Sequence, residues 1–499
     1  MTTETTAEAT RVWGNFIGGT FAPSATRQQL AVRNPATGET LAEVAHSSAA
    51  DVDRAVDAAT TAFHGEWGAM SPRERGKLLR ALGAAVDAHR EELAELETRN
   101  VGKPIRETSE LDIPGTAACF DYYGTWADKL YGETIPNSSM PVLNYTIRQP
   151  LGVVGAIVPW NGPLSIGSWK VAPALAAGNT VVLKPAGLTP LSMLRLAELA
   201  QDVGIPAGVF NVVTGPSAIG DALVTHPGVA KVSFTGSTSV GQTIMSRAAP
   251  TMKALTLECG GKSANIVFGD ADLDAAVEAT LFGIFLNQGE VCAAGSRLLV
   301  QSTVHEEFLG RLVERAGRLR VGDPLDATTQ VGALISRSHL DEVHRCVEAG
   351  VSDGARLLTG GEPLTVAGLA DTFYTPTILD GVDNGSQLAQ QEVFGPVLAA
   401  IRFETPEQAV QLANDNMYGL SANIHTTHVQ RAHSMAARLQ AGSIFVNLPA
   451  IPFAEAPFGG LKMTGLGKDL GRDGIEGFTF KKSVVVSLAE PGEHFRWYA

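Results

Sequence analysis

Cys292 sits in the segment Asn287-Gln288-Gly289-Glu290-Val291-Cys292-Ala293-Ala294-Gly295. Polar residues and glycines flank the thiol and small residues follow it, a setting that leaves sulfur accessible and close to backbone N–H donors. Glu258 closes an apolar run in Leu257-Glu258-Cys259-Gly260-Gly261, and Asn161 stands in Pro159-Trp160-Asn161-Gly162-Pro163. Covalent catalysis at a carbonyl asks for these three types: a sulfur nucleophile, an acid–base group to activate water, and an amide donor for the oxyanion. Taken singly, each has a plainer reading. Cys292 reads equally as a small core residue, Glu258 as a cap or ion-pair partner, and Asn161 as a turn residue.

A second set of residues has types suited to holding a ligand. Lys184 opens Lys184-Pro185-Ala186, and Phe234–Gly241 runs Phe-Thr-Gly-Ser-Thr-Ser-Val-Gly. The stretch from Gly236 and Ser237 to Gly241 has the form of a strand, a glycine turn and a helix start, whose unpaired N–H groups attract anions. It is not the spaced-glycine fingerprint of dinucleotide sites, and by itself it reads first as a strand-to-helix turn. Lys184 by itself would be a solvated lysine.

The elements that must position these groups follow from hydrophobic periodicity. In Asp51–Phe63 the residues Val52, Ala55, Val56, Ala59 and Phe63 fall on one helical face. Ser71, Pro72 and Glu74 make an N-cap, a proline at the first helical position and a capping-box glutamate. The buried stripe expected beyond them is Leu78, Leu82, Val86, His89, Leu93 and Leu96. From Leu151 the pattern changes to short Val-rich runs at Gly152–Val158, Thr180–Leu183, Val209–Val213 and Lys231–Phe234, with helical stretches such as Leu191–Val203 between them. Strands apolar on both faces and alternating with helices predict a parallel α/β sheet. A second series starts at Ala264–Phe268 and includes Ser296–Gln301 and Val397–Phe403, so two α/β lobes are expected, meeting near Glu258–Gly261. Ligands of such sheets bind beyond the carboxyl ends of the strands, and Asn161, Lys184 and Gly236–Ser237 all follow strands directly. Leu143–Arg148 alternates as a half-exposed strand, and the Val-rich tail Phe478–Leu488 reads as a strand, either internal or adding to a partner.

Composition narrows the functional classes. The chain has 499 residues, 52 acidic and 38 basic side chains, and a formal charge of −14. That balance argues against a nucleic-acid or anionic-membrane surface. The four cysteines, Cys119, Cys259, Cys292 and Cys346, show neither metal-ligand spacing nor a disulfide framework. No metal is required by the chemistry above. The first residues, MTTETTAEATR, lack a secretory h-region, and no apolar stretch reaches the ~20 residues that span a bilayer. A reducing cytoplasm is the expected compartment.

Together the segments resemble the aldehyde dehydrogenase superfamily. The motifs are PWNGP at Pro159–Pro163, KPA at Lys184–Ala186, FTGSTSVG at Phe234–Gly241, LECGGKS at Leu257–Ser263 and NQGEVCAAGSR at Asn287–Arg297. EVFGPV at Glu392–Val397 and PFGGLKMTGLGKDLG at Pro457–Gly471 complete the series. The resemblance covers nearly the whole chain, from about Phe16 to about Val486. It implies oxidation of an aldehyde to the acid with NAD or NADP through a cysteine thiohemiacetal and thioester. It assigns Cys292 as nucleophile, Glu258 as general base and Asn161 as oxyanion donor, with Lys170 near the base as a proton-relay member. It further implies that Lys184 holds the adenosine ribose and that Trp160, Gly236 and Ser237 lie along the pyrophosphate path. Glu392 would bind the nicotinamide ribose, with Phe394 beside the nicotinamide. The implied architecture has three parts. A Rossmann-like cofactor-binding lobe takes residues 1–128 and 149–257, an α/β catalytic lobe takes 258–462, and a small β oligomerisation element takes 129–148 and 463–499. A homodimer or homotetramer is expected.

Three positions depart from the family pattern. Gly162 replaces a Phe that often lines the substrate channel, which widens it. With Ile166, Trp169, Ile451, Phe453 and Phe458, and Leu448 as a further candidate, the channel is expected to take a bulky, uncharged aldehyde, aromatic or branched/terpenoid. Gly187 stands where NAD-preferring relatives commonly place Glu, so NADP use stays open. Cys259 stands where Leu is more usual; it fills space or forms a protective disulfide with Cys292. Two other classes compete: a cysteine hydrolase or acyltransferase without redox chemistry, which leaves Lys184, Ser237 and Glu392 unexplained, and a non-catalytic binding protein on the same scaffold.

Overall fold

The structure is a computed structural model and describes residues 11–490. The ends of the expected first and third parts, 1–10 and 491–499, lie outside the described residues.

Five parallel strands form the centre of the first sheet: Val153–Ile157, Thr180–Lys184, Phe210–Val212, Val229–Thr235 and Ala254–Glu258. Numbered in chain order they lie 3-2-1-4-5 across the sheet, the doubly wound order whose direction reverses between Val153–Ile157 and Val229–Thr235. Asn15–Ile17 and Thr20–Ala22 extend one edge, and Gly465–Leu466 pairs antiparallel with Leu257 and Glu258 at the other. The second sheet has seven strands, with Ala264–Val267 at its centre between Arg297–Gln301 and Ser421–His425. Only its edge strand Arg356–Thr359 runs antiparallel. Both sheets are parallel and covered by helices, so their strands are buried on both faces. That is why they read in the sequence as continuous apolar runs.

The third sheet joins distant parts of the chain. Val142–Pro150 and Thr479–Ser487 pair antiparallel along their full length, with Thr134–Ile135 on the other side of Val142–Pro150. The expected strand at Leu143–Arg148 and the tail strand are thus partners of one another.

Two expectations in the N-terminal helices need correction. The helix starting after Ser71 does carry its capping box, but it ends at Ala88, and a new helix runs Arg90–Val101. His89 has φ −103° and ψ 26° and breaks the stripe. Leu79, not Leu78, is buried, because the helix packs its Gly76–Leu79–Gly83 side against Ile113–Trp126. A Cβ at Gly76 would lie 2.3 Å from the Gly124 carbonyl, and one at Gly83 would lie 2.8 Å from that of Ala117. These small residues let the helices approach, a cue that apolar periodicity misses. In the earlier helix, Ala49–His64, Ala62 is buried where Phe63 was expected. Among the described residues no helix is long and apolar enough to cross a membrane.

Candidate functional site

Registers across the first sheet bring three strand ends together. Ile157 aligns with Lys184, Phe234 with Ile157, and Thr235 with Glu258. Trp160–Asn161, Lys184 and Gly236–Ser237 therefore emerge side by side at the reversal point of the strand order, where ligands of such sheets sit. Ser237 caps the helix Thr238–Ala248, its hydroxyl accepting from the Val240 N–H.

Cys292 follows a turn of three residues in left-handed conformation: Asn287 (φ 49°), Gln288 (φ 51°) and Gly289 (φ 76°). Left-handed backbone costs a non-glycine residue ~1–2 kcal/mol, and Gly289 is required, because a Cβ there would meet the Gly395 carbonyl at 2.1 Å. Side chains hold the turn in place. Asn287 Nδ2 donates to the Asn161 and Glu290 carbonyls at 2.9 and 3.0 Å. Asn161 Nδ2 donates to the Glu290 carbonyl at 2.8 Å, which fixes its amide and leaves its second hydrogen for another acceptor.

Cys292 and Asn161 line a pocket of about 510 Å³. All six expected channel residues line it: Gly162, Ile166, Trp169, Ile451, Phe453 and Phe458. Trp169 meets Phe458 edge to face at 5.6 Å. Leu448 does not line the pocket; it is 52% exposed elsewhere. No arginine lines it, and its single lysine, Lys103, is bound to Asp112. Burial pushes the Cys292 thiol up to about 12. The Glu392 and Glu258 charges add to the shift, and the backbone N–H groups of Ala293 and Cys292 oppose it.

Glu258 is not on the pocket wall. Its carboxylate lies against Gly459, next to Phe458, where a Cβ would sit 2.2 Å from Oε1. Both of its oxygens are buried without a hydrogen-bond partner. Burial raises its pKa well above the ordinary value, with the Asp469 charge as the next cause, while Lys170 and Lys468 pull it down. Lys170 is fully buried and donates to Asp469 at 2.9 Å and to Ser233 Oγ at 3.3 Å. Asp469 is a member of this cluster that sequence reasoning left without a role.

The cofactor side is assembled from both lobes. Lys184 Nζ is buried, has the Pro185 carbonyl at 2.9 Å as its partner, and is held down at about 8 by desolvation. Glu392 accepts from the Gly261 N–H at 2.9 Å, and burial lifts it to about 7. A Cβ at Gly260 would fall 2.3 Å from Glu392 Oε2, so glycine there lets the acid approach. Phe394, at φ 58°, meets Trp160 edge to face at 5.2 Å. A buried amine with spare donors, a carboxylate for ribose hydroxyls and a helix start for phosphate fit a dinucleotide. At Gly187 a Cβ would find only the Gly215 carbonyl, at 3.5 Å. Cys259 packs with Phe234, Ile244 and Leu257, and its Sγ would lie 2.6 Å from a Cβ at Gly241, an observation that favours the space-filling reading.

Fold and cleft define a two-lobed α/β enzyme with a Rossmann-type sheet facing a lobe that carries a pocket thiol. The chain belongs to the aldehyde dehydrogenase family, whose family model matches residues 21–484. It is 45% identical to the NADP/NAD-dependent aldehyde dehydrogenase PuuC of Escherichia coli, over 95% of each chain. Human retinal dehydrogenase 2 is 41% identical over 95% of this chain and 92% of its own. Among solved structures, the P. syringae indole-3-acetaldehyde dehydrogenase AldA, in complex with NAD+ and IAA, superposes with a TM-score of 0.93. It is 42% identical and is covered to 96%, against 95% of this chain.

Proposed function

We propose that this aldehyde dehydrogenase oxidises bulky, uncharged, hydrophobic aldehydes, aromatic or branched/terpenoid, to carboxylic acids with NAD or NADP. The observation that carries the reading is the pocket itself: Ile166, Trp169, Ile451, Phe453 and Phe458 in its lining, an open Gly162, no arginine among the described residues, and Cys292 with Asn161 on its wall. Relatives named for retinal and for indole-3-acetaldehyde support a large apolar substrate.

In this reading the Cys292 thiol passes its proton to solvent water as Sγ adds to the carbonyl carbon. The oxyanion is held by the free Asn161 amide hydrogen and the Cys292 N–H, each such donor being worth ~3–4 kcal/mol where measured. When bound, the dinucleotide supplies the hydride acceptor. Lys184, Ser237 and Glu392 hold and orient it against the thiol. Loss of hydride from carbon leaves a thioester on Cys292. Glu258 then takes a proton from water, water oxygen bonds to the acyl carbon, and the C–S bond breaks to release the acid and the Cys292 thiolate, which takes up a proton from solvent. Its raised pKa makes it a stronger base than an ordinary carboxylate, and Lys170 with Asp469 passes the proton onward.

We assign residues 129–148 and 463–499 to an oligomerisation element, with 1–128 and 149–257 as the cofactor lobe and 258–462 as the catalytic lobe. Thr479–Ser487 leaves one edge unpaired, with Val485 and Val486 exposed, which suits strand addition in a dimer or tetramer.

The test follows absorbance of the reduced nicotinamide with NAD or NADP across a panel of aldehydes, beside Cys292→Ala. Aromatic and branched aldehydes are expected to give the highest kcat/KM, and the variant to lose more than about a thousandfold. Better turnover of aldehydes bearing a carboxylate would overturn the substrate reading. Ester hydrolysis without cofactor reduction would favour the hydrolase.

A further inference from the structure

The Cys292 pocket is not lined by apolar residues alone. Lys103, Glu107 and Asp112 are also in its lining. Lys103 is 4% exposed and donates to Asp112 Oδ2 at 2.6 Å. Its charge also acts on two glutamates, Glu97 and Glu107. Each glutamate accepts from a backbone N–H of a different catalytic segment. Glu97 Oε1 takes the Leu164 N–H at 3.2 Å, in the first turn of the helix that follows Asn161. Glu107 Oε2 takes the Asn287 N–H at 2.8 Å, at the start of the left-handed turn that leads to Cys292. Arg106, the other cation near Glu107, is bound to Glu110 at the surface.

We propose that Glu97 and Glu107 form a clamp of positioning residues that sets the spacing between the Asn161 donor and the Cys292 nucleophile; this rests on the reaction proposed above. Neither needs to touch the reacting atoms. The Asn287 and Asn161 amides relay the grip, since both end on the Glu290 carbonyl. The left-handed turn is intrinsically unfavourable, so an external anchor at its first N–H is what keeps it in place. Glu97 is fully buried and Glu107 half-buried, costly places for carboxyls, and the geometry gives them a purpose that packing does not.

The experiment compares Glu107→Ala with Glu107→Gln, whose amide oxygen still accepts from the Asn287 N–H. With the best aldehyde, Glu107→Ala is expected to lose ~10- to 100-fold in kcat, the scale of a 1 Å misplacement, while KM for the cofactor stays within about twofold. Glu107→Gln is expected to recover to within about threefold of wild type. Alanine and glutamine variants with equal kcat overturn the clamp. Should Glu107→Ala not fold, Glu107→Asp replaces it, since a side chain one methylene shorter withdraws the acceptor; equal activity of Asp and Gln variants then overturns it. A wild type that reduces neither cofactor removes the reaction reading instead. In that case the rate of Cys292 alkylation by iodoacetamide decides. A several-fold change in Glu107→Ala that Glu107→Gln reverses supports the clamp, and equal rates in all three proteins end it.

Discussion

On the channel side of Cys292, Ile166, Trp169, Phe453 and Phe458 help line an open pocket of about 510 Å³. On the interior side, Glu258, Lys170 and Asp469 are packed at 4%, 0% and 1% exposure, and three of their oxygens lack partners. The apolar side is held by dispersion and area burial, which tolerate exchange among residues of similar volume. The interior side is held by a few charge-assisted contacts in a dry site, where losing one partner leaves another group stranded. Specificity should therefore be adjustable at the channel with small effects, and turnover should be brittle at the interior.

The largest expected effect falls on the interior. Glu258→Gln removes the proton acceptor and is expected to lower steady-state turnover ~10²–10⁴-fold while leaving formation of the thioester. A burst of reduced cofactor in rapid mixing, equal to the enzyme concentration, would show it. The pH dependence follows from the raised pKa. The base form exists only above the folded pKa, so kcat falls as pH drops through a value above the ordinary carboxyl range, and the limb should vanish in Glu258→Gln. Linkage runs the other way. A carboxyl raised on folding is bound to its proton more tightly in the native state, so stability declines as pH rises between 4.5 and the folded value. Glu392, lifted from 4.5 to about 7, adds to the same trend.

Lys170→Met breaks the pair with Asp469 and leaves a buried carboxylate uncompensated. The expected loss of stability is ~3–5 kcal/mol, read from denaturant unfolding. The double variant Lys170→Met, Asp469→Leu should recover most of it. If the single variant cost less than about 1 kcal/mol, a surface-like value, the contrast between the two sides would fail.

The same contrast governs what the sequence reveals. Three of the expected site residues stand where a parallel sheet presents them, Asn161 after Ile157, Lys184 at its strand end and Glu258 at another, whereas Cys292, Lys170 and Glu392 follow no strand and were expected from the family motifs alone. The channel residues were legible from the motifs around Gly162 and Phe458. Their polar partners were not. Lys170 was named through the family resemblance, but its partner Asp469 was not: the two are 299 positions apart, and nothing local to either marks the other. Lys103, Glu97 and Glu107 look like solvated charges on helical stretches, since a single sequence shows polarity and not burial. The break at His89 escaped because no Pro or Gly signals it. Long-range polar contacts decide the interior of this site, and periodicity carries no information about them.

The channel side yields smaller effects. Gly162 has φ −160°, extended backbone open to any residue, and a Cβ there would lie 2.9 Å from Ser165 Oγ and 3.4 Å from Ile166 Cδ1. The hydroxyl can rotate away, so Gly162→Phe should fold and narrow the pocket. KM for bulky aldehydes is expected to rise about tenfold, ~1.4 kcal/mol, with short aldehydes unchanged. A uniform loss across all aldehydes would mean that the ring disturbs Asn161, its neighbour, and that the two sides are coupled.

The smallest expected effect tests the cofactor end. Gly187 follows Lys184 by three residues, and a side chain there has open space apart from the Gly215 carbonyl at 3.5 Å. Gly187→Glu would place a carboxylate near the lysine that is proposed to hold the adenosine ribose. A 2′-hydroxyl can donate to it, whereas a 2′-phosphate is repelled. At a partly exposed site such a contact is worth ~1 kcal/mol, so the ratio of kcat/KM for NAD over NADP should rise about fivefold. The change should appear in KM, because the adenosine end does not touch the reacting carbon. If it appeared in kcat instead, the adenosine end would be positioning the nicotinamide against Cys292. The brittleness assigned here to the interior would then reach along the whole cofactor.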